Sequence, residues 1–224
     1  MKWARRNRGG ALLCLGAFWG CFCALFGDSD QVIQFRSNGL SYQALTHQGL
    51  TLMYARMPLA VREFAVVQIA LNNGSDEIRK VQPSDFYFES DDGRVLRGVP
   101  ENAVVYNFFR EAGVDDVIKL QSAYEKAIYG NQHIRSNNGY EQRRQYAMAM
   151  GPTGLKAAAA ASAIAFVQTE LKPGDSTDGA VFFANQGKEL GAGRFIARLG
   201  ETVYVFRPQG PPDTFAPGAS AAPK

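Results

Sequence analysis

A mainly β fold, an antiparallel sandwich carrying an insertion of about three helices, is predicted from three observations. Two blocks of short apolar strands broken by turn clusters stand near residues 40–109 and 165–206. Between them lies a stretch with apolar residues at helical spacing and a run of five alanines. All three cysteines, Cys14, Cys21 and Cys23, fall inside one N-terminal apolar segment, so the rest of the chain has no disulfide to lean on. Short strands punctuated by turns at both ends of one domain favour facing antiparallel sheets over a parallel sheet.

The first element is a leader. Met1 to Gly10 carry Lys2, Arg5, Arg6 and Arg8 without an acid, and Ala11 to Gly27 are uncharged. A basic head followed by an apolar stretch is the arrangement an export translocon recognises. Residues 1–27 are therefore expected to be a signal peptide or membrane anchor, and the mature protein is expected to be periplasmic or tethered outside the inner membrane. Three fates stand open: cleavage near Gly27, lipid attachment at Cys21, or retention as a short anchor. Arg5-Arg6 lacks the apolar residues that a twin-arginine signal needs next.

Without the leader the charge changes. Four of the 24 basic residues lie in the head, which leaves 20 against 21 acidic ones. A nearly neutral body presents no broad field for polyphosphate, so nucleic acid is excluded as a partner, and membrane contact is expected only through the N-terminal segment.

The body spans 28–207 and is long enough for one domain with a substantial core. Leu40 to Leu45 and Leu50 to Met57 flank His47-Gln48-Gly49 as an opening hairpin. In the next strand, Glu63 to Asn72, Ala65, Val67, Ile69 and Leu71 share one face at period two. Phe64, Val66, Gln68 and Ala70 share the other. Both faces are largely apolar, which suits a strand covered on one side by a second sheet and partly covered on the other. Asn73-Gly74-Ser75-Asp76 ends it. Asp85 to Glu89, Asp91-Asp92-Gly93 and Arg94 to Arg97 form the strongest hairpin signal, since Asp-Gly supplies the turn conformation.

The helical insertion is placed at about 111–164. Val114, Val117, Ile118, Gln121, Tyr124 and Ile128 fall at helical spacing from Asp115 to Tyr129. Asp115-Asp116 suit the first turn, where negative charge opposes the dipole favourably. Gly130 to Asn138 reads as a polar loop. Asn138-Gly139-Tyr140-Glu141 reads as a capping box opening a helix to Met150, and Gly151-Pro152 stops it. Leu155 to Ala163 forms the third helix, because alanine loses least on becoming helical; it should pack closely on a neighbour. The closing strands are Ala165 to Leu171, Gly179 to Phe183, Arg194 to Arg198 and Thr202 to Phe206, with Phe182 in the core. Residues 208–224 are Pro/Ala/Gly-rich and are expected to be disordered.

Two sets of residues carry a family likeness. Phe64, Val66, Gln68, Ala70, Asn72 and Gly74-Ser75-Asp76 are followed by Pro83-Ser84-Asp85-Phe86, Phe88 and Asp92-Gly93. Later come Leu171-Lys172-Pro173-Gly174, Gly179 and Val181-Phe182-Phe183. Together these resemble the small immunoglobulin-like domains of exported bacterial proteins of unknown function. The resemblance covers about 40–109 and 165–206, and implies an immunoglobulin-like sandwich interrupted by the insertion. It implies no single activity, because a fold does not fix a function.

Chemistry-bearing motifs are few. Only His47 and His133 are present, with no second ligand at helical spacing, so no zinc site is expected. The acids Glu89, Asp91 and Asp92 are explained by the hairpin, whose Asp-Gly supplies the turn, and Asp175 with Asp178 lack the ladder of a calcium loop. No nucleophile elbow, phosphate loop or dinucleotide fingerprint occurs, and no cofactor is expected. Asn73-Gly74-Ser75 matches a glycosylation sequon, which its turn already explains. The most unusual surface expected is in the insertion: Tyr124, Tyr129, His133, Arg135, Tyr140, Arg143 and Arg144. Tyr and Arg are the residues that most often anchor interfaces, although tyrosines packed on the sandwich and a solvated arginine face would give the same pattern. The chain is thus expected to be a non-enzymatic binding or scaffolding module of the cell envelope, its partner an envelope protein or polymer. One alternative is an envelope hydrolase with two or more of Glu101, Glu125, His133, Glu141 and Arg144 in a pocket. Another is an envelope-assembly accessory with an exposed sheet edge.

Overall fold

The computed structural model describes residues 31–129 and 139–210. The leader with Cys21, His133, Arg135 and residues 211–224 of the tail lie outside them. The fold is mainly β, with antiparallel sheets and four helices among the described residues.

The chain opens with β1 (Ile33–Ser37), β2 (Leu40–His47) and β3 (Leu50–Val61). Two-residue turns join them. Asn38-Gly39 and Gln48-Gly49 all have positive φ, between 47° and 78°, the mirror-image turn whose twist matches that of paired strands. β3 continues past its expected end at Met57, with its register against β4 (Phe64–Asn73) shifting between Arg56 and Ala60, as a bulge does. Next come β5 (Arg79–Val81), β6 (Phe86–Ser90) and β7 (Val95–Arg97). The last two form the Asp-Gly hairpin.

Four helices follow, α1 (Glu101–Glu111), α2 (Val114–Tyr129), α3 (Tyr140–Ala149) and α4 (Thr153–Ile164). The helical part begins at 101 rather than 111. α1 replaces what the sequence assigns to the first β block, because Val104 and Phe108, one turn apart, are fully buried in the helix-side core. The expected capping box also moves. Gly139, left-handed, occupies the cap of α3 and makes no side-chain cap bond, so Glu141 stands one position too early to reach back. Asp116 does work as expected at the start of α2, its carboxylate accepting from the Gly113 amide at 2.9 Å.

The chain closes with β8 (Thr169–Leu171), β9 (Ser176–Ala184), β10 (Gly193–Leu199) and β11 (Thr202–Val205). The strand order is β1-β2-β3-β4-β9 in a five-stranded sheet and β11-β10-β6-β7 in a four-stranded one, with β5 and β8 as a separate pair. Every named strand pair is antiparallel.

The two larger sheets face each other across one core. Tyr54, Val67 and Ile69 of the first meet Phe86, Phe195 and Phe206, with the Tyr54 and Phe195 rings stacked 4.5 Å apart. The helices cover much of the five-stranded sheet's other face, where Phe64, Val66 and Phe182 pack with Val104, Phe108, Leu120 and the alanines of α4. Alanine permits this closeness: α4 packs against α1, α2 and α3. A Cβ on Gly154 would stand 2.6 Å from the Phe109 carbonyl oxygen. The molecule is layered as helices, five-stranded sheet and four-stranded sheet.

Pro208 to Gly210, expected to begin the tail, belong to the body. Gln209 and Gly193 exchange backbone hydrogen bonds of 2.9 and 3.0 Å. Buried Gln43 holds Arg207 by both its amide and its carbonyl at 3.0 Å. Arg56, 6% exposed, donates to the Gly191 carbonyl at 2.6 Å, to Gln209 at 3.2 Å and to the Gly210 carbonyl. Burial pulls this guanidinium below its ordinary pKa, and the carbonyls stand in for the water it has lost.

Candidate functional site

The Tyr/Arg surface expected in the insertion loses two of its tyrosines to the interior. Tyr124 and Tyr140 are buried, at 0% and 2% exposure, with their rings edge to face 5.0 Å apart. The Tyr124 hydroxyl donates to Asp178 at 2.8 Å, and that of Tyr140 to Glu125 at 2.9 Å. Arg144 pairs with the same Glu125 carboxylate. Burial, followed by the Glu125 hydrogen bond, pushes the Tyr140 phenol well above its ordinary range, so it stays protonated. Tyr124 and Tyr140 are therefore core residues that anchor α2 and α3, and are not contact residues. Tyr129, exposed, and Arg143 and Arg144, both half-buried, remain at the surface among the described members.

The other candidate acids are committed locally. Glu101 accepts from Ser162 at 2.8 Å. Glu89 pairs with Arg194 and Asp92 with Arg94, which holds both carboxyls below their ordinary pKa values. Asp175 closes its turn by accepting from the Lys172 amide. The amide nitrogen of Asn73 is spent on the carbonyls of Glu77 and Leu171. No group of three His, Cys, Asp or Glu able to hold a metal occurs among the described residues. No helix there is long and apolar enough to cross a membrane.

A different feature stands out on the helix-facing side of the five-stranded sheet. Its registers align three parallel rows of side chains across all or most of the strands. Phe35, Tyr42, Ala55, Gln68 and Ala180 form the first row. It lies under α2, with the Tyr42 hydroxyl donating to the Ala127 carbonyl at 3.1 Å. The second row is Ile33, Ala44, Met53, Ala70 and Asp178. The third, Thr46, Thr51, Asn72 and Ser176, is polar and linked along itself. There Thr46 and Thr51 are 2.8 Å apart, and Asn72 donates to Ser176 at 2.6 Å.

The second row is the floor of an open groove of about 690 Å3. Two alanines flank Met53, and these short side chains leave the depression. Phe35 lines one side, stacked on Tyr42 at 5.2 Å. The third row forms the other side, through Thr51, Asn72 and Ser176. Ile33, 61% exposed, ends the floor at β1, the sheet edge. Asp178, 4% exposed, ends it at β9. None of Glu101, Glu125, Glu141 and Arg144 lines this groove.

The sequence reading missed this site for an identifiable reason. It begins the closing strand at Gly179, which leaves Asp178 in a turn. The strand begins at Ser176, and Ser176, Asp178, Ala180 and Phe182 then share one face at period two. Phe182 itself is core, 1% exposed. Chemically the groove can seat an apolar group beside a buried carboxylate at one end; it has no cation and no nucleophile paired with a base among its described lining residues. Compared with known proteins, the chain matches no family model, no curated protein and no solved structure.

Proposed function

We propose that this chain is an exported, non-enzymatic binding module of the bacterial cell envelope, an immunoglobulin-like β-sandwich with a helical insertion whose ligand seat is the groove across the five-stranded sheet. The exported setting rests on the basic head and uncharged stretch of residues 1–27. The sandwich reading is supported by two antiparallel sheets that share one aromatic core and are built from stretches on both sides of the helices.

The observation that carries the binding reading is the open second row. The helices close over the row beside it, yet Ile33, Ala44, Met53 and Ala70 are left as an apolar floor with one buried acid at its end. Ligand seats are concave, of this size, mostly apolar and oriented by a few polar groups. The helical layer covers the neighbouring row and so supports the seat from beside it, and the contact surface shifts from the helices to the sheet. An envelope component presenting an apolar group is the partner that fits.

N-phenylnaphthylamine, a neutral probe that brightens in apolar surroundings, tests this. The full chain should enhance its emission, and Ala70→Trp, which fills the floor, should remove most of the enhancement. Ala44→Trp serves as a second filling variant if the first folds poorly. A folded filling variant with undiminished enhancement overturns the reading.

A further inference from the structure

The outward face of the four-stranded sheet carries a different chemistry from the groove. Its registers place Val205, Ile196, Tyr87 and Arg97 in one row across β11, β10, β6 and β7. Val203 and Arg198 pair in the next row. No described layer covers this face, and Val203, Val205, Arg97 and Arg198 are all exposed. The Tyr87 ring holds two guanidiniums, that of Arg198 at 5.1 Å and that of Arg97 at 5.7 Å from its centroid. Arg97 also donates through Nε to the Ser84 carbonyl at 2.7 Å, which fixes its stem. Among the described residues, neither guanidinium has a carboxylate within ion-pair distance. The nearby acids are committed elsewhere: Glu89 to Arg194, Asp92 to Arg94, and Asp85 to the two nitrogens of Gln82.

We infer that this face docks an extended acidic segment of a partner protein, with carboxylates at Arg97 and Arg198 and apolar side chains along Ile196 and Val205. A cation over a ring is held by its charge, so its N–H donors stay available for a carboxylate. The two cations beside Tyr87 repel each other, and an acid brought between them relieves that repulsion. The aliphatic strip decides the class of partner. An acidic glycan would leave the strip without an apolar complement. Valine and isoleucine within a sheet face offer no long side chain to insert into a bilayer. A peptide supplies acidic and apolar groups on one side, two residues apart. Tyrosine and arginine are also the residues that most often carry the energy of a protein interface.

The probe is a coumarin-labelled peptide in which threonine alternates with glutamate and valine in turn, so that one side carries both groups. By fluorescence anisotropy at low salt, the full chain should bind it roughly tenfold tighter than the same peptide with glutamine for glutamate, the usual worth of hydrogen bonds to a charged group. High salt should shrink that margin. Arg97→Gln with Arg198→Gln should abolish it, whereas Arg94→Gln, whose cation is already paired at the hairpin tip, should keep it; urea midpoints check that each variant folds. Equal binding of the two peptides by the unmodified chain overturns the assignment without any variant. A margin that survives in the folded double variant overturns it as well. Sedimentation with phosphatidylglycerol vesicles, or capture on polygalacturonate, in place of peptide binding would give the face to a membrane or a glycan and overturn it too. The groove plays no part in this site, so Ala70→Trp should leave the margin unchanged, and its loss there would refute the outward face as the seat.

Discussion

Strand β4 presents one face to the four-stranded sheet and the other to the helices, and the two are finished differently. Ala65, Val67, Ile69 and Leu71 all enter a single core, against Phe86, Phe195 and Phe206. On the opposite face Phe64 and Val66 enter the helix-side core, Gln68 is fully buried, and Ala70 and Asn72 border the groove. One face is closed along its whole length, and the other passes from closed to open within four residue pairs. Sheet packing brings a whole surface with it, whereas a helix covers a stripe. A sheet backed by helices can therefore keep an uncovered row at little cost in stability, and such a row is available for binding.

The largest test of this contrast is Phe195→Ala on the closed face. Phe195 is fully buried, stacks on Tyr54 and Phe86, and meets the Phe206 ring at a tilt. Its loss should cost about 3–5 kcal/mol in urea unfolding. A loss under about 1 kcal/mol would mean that the two sheets do not share a packed core.

A smaller effect separates the faces by pH. Tyr54 lies on the closed face, and burial holds its phenol well above the ordinary range, with the nearby Arg56 charge acting weakly the other way. The unfolded chain releases a phenolic proton near pH 10, while the folded chain keeps it. Above about pH 10 the folded state thus binds more protons than the unfolded state, and stability falls as pH rises. The contribution is intact below that value. At about pH 11 the loss for this one group should be about 1 kcal/mol. Urea midpoints at about pH 9 and pH 11 should drop less in Tyr54→Phe than in the unmodified chain. Equal drops in both would assign the alkaline loss elsewhere.

How much of this was legible in the sequence differs between the faces in the same way. Period-two alternation in Glu63 to Asn72 identified both apolar faces of β4 and even their partial difference, because burial writes itself into residue type. The opening hairpin, the Asp-Gly hairpin and α2 were readable for the same reason. α1 was not, since Val104 and Phe108 supply only two buried positions in a short segment that follows a strand block. The Tyr/Arg cluster misled because a tyrosine serves equally as a contact residue and as a core residue with a hydrogen-bonded hydroxyl; only the acceptors at Asp178 and Glu125 decide, and they lie 54 and 15 residues away. The groove was least legible. It is made by register, five residues from five strands falling into one row, and by the absence of a covering layer. Neither property resides in any local stretch of chain.

The smallest expected effect is the most discriminating for the open row. Ala44 is half-buried on the groove floor, opposite Ile33 and Met53, while Ala197 is fully buried between the sheets. Leucine at 197 adds three carbons to a filled core and should cost about 1–3 kcal/mol by overpacking. Leucine at 44 extends into space that no described layer occupies, so its urea midpoint should correspond to a change within about 0.5 kcal/mol, the range of ordinary surface substitutions. The pair is informative because the residue types are identical and both sit in the middle of antiparallel strands, which cancels the intrinsic strand preference of leucine over alanine. What remains is whether a layer faces the position. A cost at Ala44 equal to that at Ala197 would mean the row is closed in solution, and the contrast between the two faces of the sheet would disappear.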